Sequence, residues 1–166
     1  MTVPKFGKVL YELVKILDQN QIEYLLSGSL AGKFYGLKRE PHDIDIYVFS
    51  RDVEHLEKIF ADKITKALYR CKDDFYGEDI LEILFDGVVV EFCVVDTGFM
   101  HSLVTGETMP TLRFYKPVDV PLNDIFVKIQ SLDALIGYKS HNTNTEFAGN
   151  QIEDVLELRK RRLNVA

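Results

Sequence analysis

The sequence predicts an α/β (α+β) fold, in which a mixed sheet is flanked by helices and followed by a C-terminal helical hairpin. Apolar residues at helical spacing alternate with short apolar runs typical of buried strands. Asp86-Gly87 separates two such runs, as expected for a two-residue β-hairpin. Two amphipathic helical patterns close the chain. We therefore predict a core over residues 1–120 and a helical extension over 121–166 that packs on it.

The N-terminal elements follow from these patterns. Residues 6–17 carry apolar side chains at helical spacing and predict a first helix. The apolar run 22–27 is typical of a buried strand. Residues 29–36 predict a short helix capped by Ser29. The alternating segment 43–49 then predicts a second strand, with one face different from the other.

The middle of the chain contains the clearest local signal. Residues 51–68 predict a helix with Asp52 as its cap. The segments 80–85 and 88–95 predict the two strands of the hairpin. Residues 96–110, with two glycines and a proline, predict a long loop.

Three segments remain toward the C-terminus. Residues 112–118 predict a further strand. Residues 123–139 predict a helix with Asn123 as its cap, and residues 151–163 predict the final amphipathic helix.

Composition limits the class of protein. The chain has 166 residues, of which 46% are apolar and 28% charged, and these values are typical of a globular domain. The net charge of −6 disfavours broad binding to nucleic acid. No stretch has the length of a membrane span, and the N-terminus does not read as a signal peptide, so we expect a cytoplasmic protein. Cys71 and Cys93 lack the spacing of a zinc site, and a disulfide is not expected.

Three acidic residues are candidates for a metal site. Asp43 and Asp45 share one face of their predicted strand, because side chains alternate along a strand. Glu91 interrupts the most apolar stretch of the chain, where a carboxylate is costly unless it is paired or binds metal. Oxygen ligands of this kind suit Mg²⁺. The alternative is that the Asp pair lies solvated on an edge strand and that Glu91 faces solvent.

Gly28 and Ser29 are candidates for phosphate binding. A glycine between a strand and a helix allows close approach of the backbone to a ligand, and a helix N-terminus attracts anions. By themselves, these two residues are equally typical of an ordinary helix start. The basic run from Arg159 to Arg162 is explained by the preference for cations at a helix C-terminus, although nucleic acid is an alternative.

Gly28-Ser29, thirteen further residues and then Asp43-Ile44-Asp45-Ile46 resemble the signature of the polymerase-β-type nucleotidyltransferase superfamily. Glu91 fits the third acidic residue of that signature, on a later strand. Arg39 matches an arginine of the stand-alone bacterial and archaeal members, whereas Pro41 replaces their usual threonine. The resemblance covers residues 22–95 well, and the C-terminal part is only loosely similar to AbiEii-like minimal nucleotidyltransferases.

The resemblance implies transfer of a nucleoside monophosphate from a nucleoside triphosphate to a hydroxyl group. Asp43, Asp45 and Glu91 would be catalytic and would bind two Mg²⁺ ions. Gly28 and Ser29 would hold the phosphates. Arg39 would assist, together with a helix lysine to which Lys128 would correspond, and the family's later Lys-Asp-x-x-Asp stretch is matched only at Asp154.

Three functions are compatible with this resemblance. The first is an enzyme that modifies a small molecule, a protein or an RNA end. The second is an antitoxin-type protein that acts on a partner toxin or binds it. The third is an inactive nucleotide-binding scaffold. The sequence identifies neither the acceptor nor the preferred base.

Overall fold

A computed structural model describes residues 4–72, 76–102, 105–141 and 148–165. These residues form the predicted mixed sheet with flanking helices and a C-terminal pair of helices. The strands are β1 (Tyr24–Leu26), β2 (Asp43–Val48), β3 (Ile64–Lys72), β4 (Tyr76–Phe85), β5 (Val88–His101), β6 (Thr108–Pro110), β7 (Pro117–Leu122) and β8 (Ile125–Gln130). The helices are α1 (Pro4–Gln19), α2 (Gly28–Phe34), α3 (Val53–Ile59), α4 (Leu132–His141) and α5 (Ala148–Val165).

The sheet has the strand order β3-β4-β5-β2-β1-β8-β7, and β6 pairs with the outer part of β5. The pairs β2–β5 and β1–β8 are parallel, whereas the other pairs are antiparallel. Parallel neighbours need a crossover between them. The segment from α3 to β4 provides that crossover for β2 and β5.

One face of the sheet packs on the main core. Ile44 and Ile46 of β2 lie in this core, next to Val90 and Phe92 of β5. The apolar stripe of α1 covers them, and its five buried members are Val9, Leu10, Leu13, Val14 and Leu17. The predicted first helix is therefore confirmed, and the opposite face of β2 and β5 is left for polar side chains.

The predicted hairpin is also confirmed. Asp86 and Gly87 connect β4 to β5 with φ angles of +48° and +73°. Positive φ at both central positions is the requirement of a type I′ turn, which suits the twist of the two strands. This turn fixes the register in which Glu82 lies opposite Glu91.

The helix predicted over 51–68 is wrong in its second half. A turn of 3-10 helix at Ser50–Asp52 leads into α3, which ends at Ile59, and β3 begins at Ile64. Asp52 precedes α3 but makes no side-chain capping bond. β3 is an edge strand with mostly exposed side chains, so pairing with β4, and not an apolar pattern of its own, determines its conformation.

The helix predicted over 123–139 is wrong in its first half. Asn123 is no helix cap: its φ is +55°, and it lies in the turn between β7 and β8. β8 instead shows strand alternation, because Val127 and Ile129 are buried while Phe126 is exposed. β8 pairs with β1 in the sheet, and the helix begins only at Leu132. The boundary predicted at residue 120 lies within β7, so the division into 1–120 and 121–166 stays a prediction.

Smaller differences concern element ends. β5 continues to His101 and pairs with β6 inside the predicted loop 96–110. The strand predicted at 112–118 starts only at Pro117, after a 3-10 turn at Thr111–Phe114. Helix α2 begins at Gly28, and Ser27, not Ser29, holds the capping position. The last helix is confirmed and is longer than predicted. None of the described helices is long and apolar enough to cross a membrane.

Candidate active site

Parallel pairing of β2 with β5 assembles the acidic group. The register places Asp45 opposite Glu91, and Asp43 lies two residues earlier on the same face of β2. Glu91 therefore does not face solvent on an isolated strand. All three predicted acidic residues line one pocket on the sheet face opposite the main core.

Within this group, the ligand atoms of Asp45, Glu91 and Cys93 lie within 4.8 Å of one another. The Asp43 carboxylate lines the pocket beside them but does not belong to this tight set. Cys93 shares the strand face of Glu91, as the sequence indicates. Burial raises the pKa of the Cys93 thiol well above its usual range, and Mg²⁺ prefers oxygen ligands to a thiol.

The acidic residues are electrostatically strained in the absence of a cation. Burial, followed by the charges of Asp43 and Glu91, raises the pKa of Asp45 well above its usual value. Burial and the Asp43 charge raise the pKa of Glu91. Burial also raises the pKa of Asp43, although His42 and Arg39 oppose that shift. A bound divalent cation would relieve this repulsion, and the carboxylate oxygens match the ligand preference of Mg²⁺.

Gly28 touches this acidic group directly. Its φ is +65°, and a Cβ atom at this position would lie 1.8 Å from Oδ2 of Asp45. The neighbouring Ser27 amide donates a hydrogen bond of 2.9 Å to the Asp45 carbonyl. Ser29, in the first turn of α2, also lines the pocket. The strand-to-helix turn therefore holds the position of Asp45, besides bordering the pocket.

A buried cation that the sequence prediction missed lies on the helical side of the pocket. Lys139 of α4 is 2% exposed, and its Nζ donates to Asp154 Oδ2 at 2.9 Å and to Gln151 at 3.1 Å. Arg39 donates from Nε to the other oxygen of Asp154 at 3.0 Å. Burial would raise the pKa of Asp154, but the hydrogen bond from Arg39 and the Lys139 charge lower it overall. Asp154 thus joins α4, α5 and the loop before β2.

Lys128 is not brought to the site. It lies on β8 and not on a helix, its side chain is 47% exposed, and its Nζ pairs with Asp119 at 3.1 Å. The helix lysine of the pocket is Lys139. A signal for it was present in the sequence, because Lys139 continues the apolar stripe of Leu132, Leu135 and Ile136 at helical spacing.

The pocket has a volume of about 380 Å³ and has two chemically different sides. Arg39, Lys139 and Gln151 lie on the helical side. The rest of the lining used below, called the inner side, comes from β2, β4 and β5 with Tyr138 of α4, and carries aromatic and small apolar side chains with one carboxylate. Its members are Tyr47, Tyr76, Glu78, Ile80, Cys93 and Tyr138. Glu78 was not predicted, because nothing in the sequence distinguishes it from the other acidic residues of its strand.

The other basic candidates lie outside this pocket. Arg161 pairs with Glu157 within α5, and Arg162 pairs with Asp133 of α4. These pairs account for much of the positive charge near the C-terminus without a nucleic-acid ligand.

Several solved structures share this fold. A proposed nucleotidyltransferase from Thermotoga maritima, TM1012, superposes with a TM-score of 0.72 at 22% identity, covering 100% of this chain and 97% of that one. The lincosamide antibiotic adenylyltransferase LnuA gives 0.59 at 14% identity, covering 91% and 96%. ANT(2″)-Ia, solved with adenylyl-2″-tobramycin, gives 0.59 at 13% identity, covering 96% and 89%. The chain therefore has the fold of nucleotidyltransferases. No family model and no curated protein matches its sequence.

Proposed function

We propose that this protein is a Mg²⁺-dependent nucleotidyltransferase that moves a nucleoside monophosphate from a nucleoside triphosphate to a hydroxyl acceptor. The observation that carries the proposal is the register of Asp45 with Glu91, with Asp43 beside them in one pocket. A solvated surface pair would not combine burial, mutual repulsion and a shared cavity. The fold supports the same interpretation, since LnuA is named as an antibiotic adenylyltransferase and ANT(2″)-Ia was solved with adenylyl-2″-tobramycin.

The reaction is a displacement at phosphorus. The acceptor oxygen forms a bond to the α-phosphorus, and the bond from that phosphorus to the bridging oxygen breaks to release pyrophosphate. The attacking and leaving oxygens lie roughly in line. Glu91 either takes the hydroxyl proton or binds metal. Bound Mg²⁺ would neutralise phosphate charge and lower the pKa of the acceptor hydroxyl.

The residues of the chain divide this task by position. Asp43 and Asp45 would hold the metal. Gly28 and Ser29 would hold the β- and γ-phosphates at the start of α2, and Lys139 and Arg39 line the same pocket and would supply positive charge. In this proposal Lys139 takes the role that the sequence assigned to Lys128.

Nucleotide transfer to a panel of small-molecule, protein and RNA acceptors tests the proposal. Each labelled triphosphate is incubated with the protein and Mg²⁺, and both product and pyrophosphate are measured. The double variant Asp43→Asn/Asp45→Asn should abolish transfer and keep the circular-dichroism spectrum of the wild type. Asp119→Asn is the matched control, because it removes an exposed carboxylate paired with Lys128. Transfer by the double variant at the wild-type rate would refute the mechanism.

A second candidate is an antitoxin-type protein whose acceptor or ligand is a partner toxin. Ile152 and Leu156 favour it, because they lie one turn apart on α5 and are 47% and 55% exposed. Copurification of a protein from the native host that is lost in Leu156→Asp would support this candidate. The inactive scaffold would bind ATP without dependence on Mg²⁺, or not at all, and would transfer no nucleotide; calorimetry with and without Mg²⁺ measures the binding.

A further inference from the structure

Glu78 is a buried carboxylate without an evident partner. It lies on β4 and is 6% exposed, and its Oε1 makes no hydrogen bond within the described part of the chain. No ion pair between described residues includes it. Arg70 is close enough to oppose the rise in its pKa, but Arg70 itself pairs with Asp79 at 3.1 Å.

Two other buried carboxylates near the pocket, which lie outside the acidic group of Asp43, Asp45 and Glu91, have their charge compensated. Glu82 accepts from Lys66 at 2.7 Å and from Thr65 at 2.8 Å. Asp154 accepts from Lys139 and Arg39. Burial, followed by the charge of Glu91, raises the pKa of Glu78 to about 8. A buried carboxyl group of this kind takes up a proton when no partner compensates it, and a cation bound beside it would favour its charged form instead.

The position of Glu78 in the sheet indicates which of the two substrates would lie beside it. The strand order puts β4 beyond β5, whereas Gly28 follows β1 on the opposite side of the acidic group. An incoming hydroxyl must approach opposite the leaving pyrophosphate. If the triphosphate lies at Gly28 and Ser29, the acceptor lies toward β4, next to Glu78.

The surroundings of Glu78 suit a particular chemical group. Tyr47 and Tyr138 pack edge to face with ring centroids 6.0 Å apart, and both line the inner side of the pocket. Aromatic faces attract a cation, and a carboxylate adds a charge-assisted hydrogen bond. A single carboxylate in a lining with aromatic rings matches an organic cation better than a metal ion, which needs several oxygen ligands.

We propose that the inner side of the pocket is an ammonium-binding subsite formed by Glu78, Tyr47 and Tyr138, and that the acceptor is a small alcohol carrying an amine. The identification of the ligand as the acceptor rests on the proposed function. The ammonium subsite itself does not, because it binds its ligand without nucleotide transfer.

Two matched probes test the subsite. The compounds trans-2-aminocyclohexanol and trans-1,2-cyclohexanediol share one ring and differ only in an ammonium group in place of a hydroxyl. Their dissociation constants are measured by NMR titration with saturating Mg²⁺ and without nucleotide. The wild type should bind the amine about tenfold more tightly than the diol, which corresponds to about 1.4 kcal/mol.

Four variants locate the preference. Glu78→Gln should remove it, because the amide has no charge. Asp119→Asn, the control, removes an exposed carboxylate that pairs with Lys128 outside the pocket and should keep it. Asp45→Asn should also keep it, because the cation is assigned to Glu78 and not to the metal ligands. Glu78→Asp, which retains the charge, should keep a weaker preference and remains informative if the glutamine variant does not fold.

The outcomes separate the two proposals. Equal binding of the probes by the wild type, or a preference that survives in Glu78→Gln, would overturn the subsite. Loss of the preference in Asp45→Asn would assign the cation to the metal site instead and would also overturn it. A wild type that binds the amine selectively but transfers no nucleotide to any acceptor would retain the subsite and contradict the proposed function.

Discussion

At the residue scale, the site depends on side chains whose positions are energetically unfavourable by themselves. Asp45 lies against Gly28 and opposite Glu91, and its pKa is raised by burial and by both neighbouring acids. Glu78 adds a further carboxylate at the inner side of the pocket. Such residues persist where function requires them, because an unpaired buried charge opposes folding. A substitution that removes one of these charges should therefore increase stability while it reduces activity.

Gly28→Ala should disrupt the acidic group. A side chain with φ near +65° costs about 1–2 kcal/mol, and here the new Cβ would also collide with Asp45 Oδ2. Gly106→Ala is the matched control, because Gly106 has φ of +70° and a Cβ atom there would meet no described atom within 4 Å. Thermal denaturation should show the larger loss for Gly28→Ala, and only this variant should lose nucleotide transfer. Equal losses in both variants would mean that backbone strain alone explains the glycine.

Glu78→Gln should change the pH dependence of stability. A carboxyl group whose pKa rises on folding stabilises the protein below its ordinary pKa of 4.5, and this contribution is lost as the pH rises through about 8. The melting temperature of the variant, measured relative to that of the wild type, should therefore rise from pH 5 to pH 8 in metal-free buffer. The relative gain in stability should be a few kcal/mol, and each kcal/mol corresponds to roughly 2–4 °C in melting temperature for a chain of this size. A constant difference between the two proteins would contradict the burial of an unpaired carboxylate.

At the scale of the elements, the pairing of β2 with β5 creates the metal site. Asp43 and Asp45 come from one strand and Glu91 from the other, so the ligands meet only when the two strands lie side by side in this register. The hairpin turn at Asp86-Gly87 sets where Glu91 falls along β5. A metal ion bound there would connect the two strands and would stabilise the sheet as well as the reaction.

Mg²⁺ should raise the melting temperature of the wild type. A ligand at 100 times its dissociation constant stabilises the folded state by about 2.7 kcal/mol if it does not bind the unfolded chain. Asp45→Asn should lose this stabilisation, because a central ligand is removed. Cys93→Ser should keep it, because Mg²⁺ prefers oxygen ligands and the thiol is not assigned as one. Loss of the effect in Cys93→Ser would place the thiol among the ligands and would favour a softer metal.

At the scale of the whole molecule, the C-terminal helices and the sheet together line the pocket. Lys139 of α4 and Gln151 of α5 line the pocket, and Asp154 links both helices to Arg39. Lys139 and Asp154 are almost completely buried, so this ion pair belongs to the interior of the molecule. The helices thereby contribute the positive charge that a triphosphate would need.

Asp154→Asn should destabilise the protein by about 3–5 kcal/mol, the usual cost of leaving the partner of a buried ion pair uncompensated. Asp133→Asn is the control, because it breaks an exposed pair with Arg162 and should change the free energy of unfolding by no more than about 0.5 kcal/mol. Urea denaturation measures both values. In the folded fraction of Asp154→Asn, the KM for the triphosphate should rise, because Lys139 and Arg39 lose the carboxylate that holds both side chains in place. An unchanged KM would separate these two cations from nucleotide binding.

Local patterns in the sequence determined the features that depend on nearest neighbours. The period of two along a strand puts Asp43 and Asp45 on one face, and Asp86-Gly87 specifies its own turn through positive φ angles. The stripe of α1 and the order of the acidic and glycine motifs were readable for the same reason. These features predicted the fold class and the acidic group, because each is encoded within a few consecutive residues.

Only the tertiary structure decided the features that depend on distant partners. Residues 125–130 form a strand because β1 is available for pairing, and this choice moves Lys128 away from the pocket and leaves Lys139 in it. The edge strand β3 likewise takes its conformation from β4. Glu78 became a candidate only when its burial without a partner was visible. Strand pairing and burial are properties of residues far apart in the chain, so no local pattern could specify them.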